Sequence, residues 1–268
     1  YVDDVFSTYL FDGTDSAQSI NNGLDLAGEG GMVWFKGRDG TYRYMIFDTE
    51  RGNNKYLFTH LNEAESSIGN PSAGVTSFNN NGFSLGTSNF HENPNGADMC
   101  SWSFRKAPGF FDVVTYTGNG TNQTIPHNLG SVPGMIIVKA RSGTSAGAYM
   151  WTVYHRGLSS PETSYFYLND PAAGGSGYNG YWNGTAPTST HFSVGTDTYT
   201  NAANRTYVAY VFAHDEPVFG TGGNESIIKC ESATVASSTW QEFNLGFEPQ
   251  WLLIKTFSFG LDWQIFDN

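Results

Sequence analysis

Basic residues are scarce: 13 Lys and Arg stand against 25 Asp and Glu, and no basic cluster offsets the acidity locally. A net charge of −12 repels phosphate backbones, which argues against nucleic acid and anionic membrane surfaces as partners. Charged residues of both signs reach only 14%, whereas a disordered chain is highly charged and poor in aromatics. The two cysteines, Cys100 and Cys230, are too few for a disulfide framework. No apolar run approaches the roughly 18 residues that a membrane-crossing helix needs, and no stretch of helical period reaches a useful length. The chain opens YVDDVF, without initiator methionine or signal peptide, and reads as a window from something longer. Aromatic side chains, by contrast, make up 16%, and there are 32 glycines, a balance that suits an all-β protein with many tight turns.

The chain repeats itself. Gly13–Ile20 (GTDSAQSI) meets Gly118–Ile125 (GNGTNQTI) at a spacing of 105, and Phe11 and Leu24 meet Tyr116 and Leu129 at the same spacing. Further blocks follow in the same order. GGMVWFK (Gly30–Lys36) answers PGMIIVK (Pro133–Lys139), Arg51-Gly52 answers Arg156-Gly157, GFSLGT (Gly82–Thr87) answers HFSVGT (His191–Thr196), and MCSWSF (Met99–Phe104) answers YVAYVF (Tyr207–Phe212). A third copy begins near Ser226: NLGFEPQWLLIK (Asn244–Lys255) matches NLGSVPGMIIVK (Asn128–Lys139), and WQIFD (Trp263–Asp267) matches WTVYH (Trp151–His155). It stops less than halfway through a unit, which would leave strand edges open, so the polypeptide is expected to continue. A period of about 105 residues is too long for a solenoid and fits a string of domains.

The strand signals are plain within each unit. Met135–Val138 and Leu252–Ile254 are short apolar runs of buried-strand type. Thr206–Ala213 alternates, with Tyr207, Ala209 and Val211 on one face and Val208, Tyr210 and Phe212 on the other. Turn sequences such as NNNG, NPNG, GGSG and TGNG separate the strands. The expected fold is all-β: tandem antiparallel β-sandwiches, jelly-roll-like, with repeat one at 1–106, repeat two at 107–216 and the start of an incomplete repeat three at 217–268.

Candidate chemistry is sparse. GFSLG (Gly82–Gly86) and GTSAG (Gly143–Gly147) fit a nucleophile-elbow pattern, but no helix can follow the first, and its counterpart HFSVG loses the leading glycine. Asp48 and Glu50 in FDTERG are the best-placed carboxylate pair for glycoside hydrolysis. Asp48 becomes His155 and Asp267 in the other copies, and Glu50 has no clear counterpart, which favours an interaction with the nearby arginine over catalysis. The six histidines lack metal-ligand spacing, and Asp12 and Asp15 have no acidic counterparts in copy two; no metal or other cofactor is expected. Trp102, Trp151 and Trp263 fall on strand positions and read as core. Tyr178, Tyr181 and Trp182, in GYNGYWNGT, sit among Asn and Gly; they read either as a glycan- or protein-contact surface or as cover for the sandwich rim. The TGNG stretch lacks the third glycine and helix of a dinucleotide loop and reads as the opening hairpin of a module.

The strings RKAPGFFDVVTYTGNGTNQTIPHNLGSVPGMIIVK, VYHRGL and YVAYVFAHD resemble tandem modules of tail-fibre and related virion proteins of marine and cyanobacterial bacteriophages, and the resemblance covers essentially the whole chain. It implies a non-enzymatic structural or host-contact protein on the virion exterior, on the tail, touching other virion proteins and a host surface glycan or receptor. Because phage fibre proteins are often homotrimers, it implies a homo-oligomer here. The alternatives are a glycan-binding module, a capsid decoration or fibre and, last, a tailspike-like glycan-degrading enzyme using Asp48 or Glu50.

Overall fold

The structure is a computed structural model and describes residues 1–87, 90–143, 150–235 and 240–268. It is nearly all β and antiparallel, as the sequence predicts, and among the described residues its α-helix is a single turn, Thr198–Asn201. In copy one a large sheet runs in the spatial order Phe6–Asp12, Asp98–Arg105, Gly31–Gly37, Met45–Asp48, Lys55–Phe58, Ser66–Ser67. Copy two repeats that order with Phe111–Thr117, Thr206–Phe212, Met135–Ala140, Trp151–His155 and Phe166–Tyr167. In both, the closing strand of the unit (Asp98–Arg105 or Thr206–Phe212) lies between the opening strand and the next apolar strand. Small sheets cover one face of each large sheet: Gln18–Asn21, Gly82–Leu85 and Val75–Asn79 in copy one, Gln123–Pro126 and His191–Val194 in copy two.

Two cores lie between large and small sheets, one per copy. A further core lies between the copies. Trp34, Trp102 and Phe104 of copy one meet Ile137, Trp151, Tyr210 and Phe212 of copy two there, and Trp251, Leu253, Trp263 and Ile265 of copy three pack against the same cluster. The alternation in Thr206–Phe212 therefore resolves as predicted. Tyr207, Ala209 and Val211 enter the core of their own copy, and Val208, Tyr210 and Phe212 enter the shared one. With both faces of the large sheets buried, charge has little room on them, which accounts for its scarcity in these strands. Trp102 and Trp151 are buried and Trp263 is half-buried, in line with their strand positions.

A buried asparagine in each copy anchors the opening loop. The Asn201 carboxamide accepts from Asn119 N (3.0 Å) and Gln123 Nε2 (2.7 Å) and donates to the carbonyls of Thr121 and Gly195 (both 2.6 Å). Asn93 repeats this in copy one, accepting from Thr14 N and Gln18 Nε2 and donating to the carbonyls of Ser16 and Gly86. Backbone also crowds these loops: a Cβ on Gly118 would lie 2.3 Å from Ala202 O, and one on Gly13 would lie 2.0 Å from Pro94 O. The loop containing TGNG thus wraps a side chain of its own chain. Asn201→Ala strands two buried carbonyls and two donors, so it is expected to cost about 2–4 kcal/mol, read as a lower midpoint in urea unfolding.

Candidate functional site

The arrangement that most sets this chain apart is the seam where the copies meet. Asp48 ends the strand Met45–Asp48 and is fully buried. Its Oδ1 accepts from Arg51 N (2.9 Å) and its Oδ2 from Arg51 Nε (2.5 Å), within a tight turn at Gly52, where φ is +91°. Arg51 also donates to Ile46 O (3.0 Å) and to Glu65 (3.4 Å), and Glu65 is held from copy two by Arg141 Nε at 2.8 Å. Across the seam, Tyr210 Oη donates to Asp48 Oδ2 at 2.7 Å. Burial is the largest single influence and opposes the Arg51 charge, but Asp48, Tyr210 and Glu65 together outweigh it and the guanidinium pKa rises. Burial pushes the Tyr210 hydroxyl far up, so it stays a neutral donor. Such a network fixes two sheets in one register.

The same bond recurs at the next seam. Trp102 is the copy-one equivalent of Tyr210, and its Nε1 donates to Asp267 Oδ2 of copy three at 2.8 Å, where Asp267 is the equivalent of Asp48. A second bond recurs in parallel. Trp151 Nε1 of copy two donates to Phe58 O of copy one at 3.1 Å, and Trp263 Nε1 of copy three donates to Tyr167 O of copy two at 2.9 Å. Phe58 and Tyr167 are themselves equivalent, since they pair with Met45 and Thr152 in matching registers. The contacts run two onto one, one onto three and three onto two, so the copies close a ring around the shared core. Lysines at the end of the apolar strand repeat as well: Lys36 Nζ lies 4.8 Å from the Tyr44 ring centroid, and Lys139 Nζ lies 5.6 Å from that of Trp151. Burial pushes the Lys139 amine down to about 7.

The aromatic trio in GYNGYWNGT is divided by the fold. Tyr178 is exposed (41%), with its hydroxyl donating to Asp197 Oδ2 at 2.7 Å. Tyr181 and Trp182 are core, at 4% and 2% exposed, which corrects their reading as a contact surface. Trp182 Nε1 donates to Ser164 O at 3.0 Å, and its ring meets Tyr154 edge-on. The reason lies in the small sheets. Copy one uses a third strand that begins at Val75, with Gly86 N donating to Gly74 O; in copy two the equivalent Gly195 N donates to Tyr181 O, so Tyr181 and Trp182 fill the place of that strand. Glu50 lines a shallow concavity of about 600 Å³ with Leu26, Thr49 and Phe78, and its carboxylate is paired with Lys106 at 2.8 Å. Ser84 of GFSLG lies mid-strand, accepting from Asn79 Nδ2 at 2.9 Å, with no elbow geometry. Ser145 of GTSAG lies outside the described residues.

Sequence comparison placed Asp48, His155 and Asp267 at one repeated position but did not link it to Tyr210 and Trp102. The link was visible only as a second repeated position carrying, in both complete copies, an aromatic side chain with a hydrogen-bond donor.

One family model, described as a domain of unknown function (DUF7483), matches residues 2–268, so a single family unit spans all three copies. No curated protein and no solved structure matches the chain.

Proposed function

The chain belongs to the DUF7483 family, and we propose that it serves as a non-enzymatic structural and host-contact component of a bacteriophage virion, of the tail-fibre type. The observation that carries this reading is the ring of copies. Tandem modules that bury aromatic faces against one another form a stiff body whose shape does not depend on a ligand. Stiffness built by repetition is what a load-bearing appendage requires, and the acidic surface keeps such a body soluble and free of nucleic acid. The resemblance of its repeated strings to virion modules supports the same reading. Other virion proteins and a host surface receptor are the partners it implies, with homotrimeric assembly as in phage fibres.

Gold-labelled antibodies against this chain, applied to purified particles of the parent phage, test it. Labelling of tail appendages is expected. Label confined to the capsid would replace the reading with a capsid decoration, and unlabelled particles from a lysate that contains the protein would overturn it.

A further inference from the structure

No basic cluster stands along the sequence, but the fold gathers one on copy one. Lys36 comes from the strand Gly31–Gly37, Arg43 from the loop before Met45–Asp48, His60 from the turn after Lys55–Phe58, and His91 from the segment after Gly82–Leu85. Two aromatic rings hold them together. The Arg43 guanidinium lies over the Phe58 ring, 4.7 Å from its centroid, and the His60 and His91 rings each lie 5.9 Å from that centroid. The Tyr44 ring lies 6.0 Å from His60 and 4.8 Å from Lys36 Nζ. Against these bases stands Glu63, whose carboxylate is 3.9 Å from Arg43 Nη1, too far for a hydrogen bond. The two side chains are 42% and 55% exposed, so the patch is open to solvent. Among the described residues the Arg43 guanidinium makes no hydrogen bond, so a positioned fork of N–H donors is available.

The scaffold does not require these bases. By the registers that equate Met45 with Thr152 and Phe58 with Tyr167, Arg43 corresponds to Met150 and His60 to Asn169. Asn93 and Asn201 anchor equivalent loops, so His91 corresponds to Tyr199. Copy two therefore builds the same large sheet with only the lysine kept, and there Lys139 is fully buried, whereas Lys36 is half-buried.

We infer that this patch binds a saccharide bearing one anionic group, a carboxylate or a phosphate. Arg43 presents paired donors to the anion, and Lys36 with the two imidazoles surrounds it with further basic groups. The half-buried rings of Tyr44 and Phe90 offer apolar surface to the sugar ring beside it. Charge selects the occupant: a chain of net charge −12 repels an extended polyanion, while a single anionic sugar meets the local field. Burial first, then the Arg43 and Lys36 charges, push both imidazoles below the usual histidine range; at His60, Glu63 opposes this and His91 adds to it. A bound anion favours the protonated rings, so affinity rises as pH falls. The inference names a ligand class for the host-contact reading and rests on that reading for the source of the sugar.

The test titrates the full 268-residue chain with glucuronate, glucose 6-phosphate, glucose, inorganic phosphate and a short single-stranded DNA, followed by the histidine ring resonances. Saturable shifts at His60 and His91 are expected with an anionic sugar, in the millimolar range or tighter, and about fivefold stronger at about pH 5.5 than at about pH 8. Binding of one anionic sugar and not the other identifies the group as carboxylate or phosphate. Glucose should bind at least about tenfold more weakly, and inorganic phosphate more weakly than glucose 6-phosphate. Arg43→Met, which gives copy one the side chain found in copy two, should lower affinity about tenfold at an unchanged urea midpoint, and Arg43→Lys should recover part of it. Should Arg43→Met shift the midpoint, His60→Asn reads the same loss at a second position. No saturable shift with either anionic sugar, equal affinity for glucose, inorganic phosphate or DNA, or full affinity in the folded variant would each overturn the inference. Binding is read on the purified chain, so it can fail while tail appendages are labelled and hold while they are not.

Discussion

Asp48→Ala is expected to lower the stability of the chain by about 3–5 kcal/mol, because it leaves the Arg51 guanidinium buried with most of its compensation removed. Arg51 would retain Ile46 O and the longer contact to Glu65, and Tyr210 would lose the Asp48 acceptor in a buried seam. Asp48→Asn keeps an oxygen for the tyrosine and removes the charge, so it should fall between the variant and the parent. Urea unfolding followed by far-ultraviolet dichroism measures both. Tyr210→Phe alone should cost about 1–2 kcal/mol. Combined with Asp48→Ala it should cost less than the sum, with a coupling of at least about 0.5 kcal/mol, since the two residues share one bond. Additive losses would show that the seam bond contributes nothing.

Trp151→Ala should be as damaging, at about 3–5 kcal/mol. The ring is fully buried, stacks near Tyr210 with centroids 6.2 Å apart, and bonds through Nε1 to the carbonyls of Phe58 and Leu61 at 3.1 and 3.2 Å. Trp151→Phe restores most of the apolar contact and loses the donor, so about 1–3 kcal/mol is expected. The shape of the transition matters as much as its midpoint. Because the indole belongs to copy two and its acceptors to copy one, calorimetry of the parent should show one cooperative transition, and Trp151→Ala should lower it as a whole. Two separate peaks in the parent would mean that the copies unfold independently and that the shared core is weak.

Much of this fold was legible in the sequence, and the part that was not has a physical cause. The alternation in Thr206–Phe212 assigns both faces of that strand to burial. It cannot say whether the second face is covered by the strand's own unit or by a neighbour, because Val208, Tyr210 and Phe212 would be apolar in either case. The shared core was hidden for that reason. Tyr181 and Trp182 misled because their Asn and Gly neighbours describe the path of the backbone, not what the side chains touch; the loop folds inward to take the place of a strand that copy one has and that is absent among the described residues of copy two. The reading of Asp48 as an anchor for an arginine matches the contact to Arg51, since its repeat mate His155 could not share a carboxylate's chemistry. Its partner across the seam lay 162 residues away and left no local trace.

The alternation of donors and acceptors around the ring has a consequence for how such genes can change. Copy one carries halves of two such bonds, at Asp48 and Trp102, and copies two and three carry one each, at Tyr210 and Asp267; the halves are not the same, and His155, whose Nδ1 accepts from Gly157 N, carries its own proton on Nε2 when neutral. Recombination between repeats that exchanged copy one for copy two would set an indole N–H against an imidazole N–H in a buried seam. The repeated units are therefore alike in fold but not interchangeable in order, because an exchange would cost a hydrogen bond at the seam.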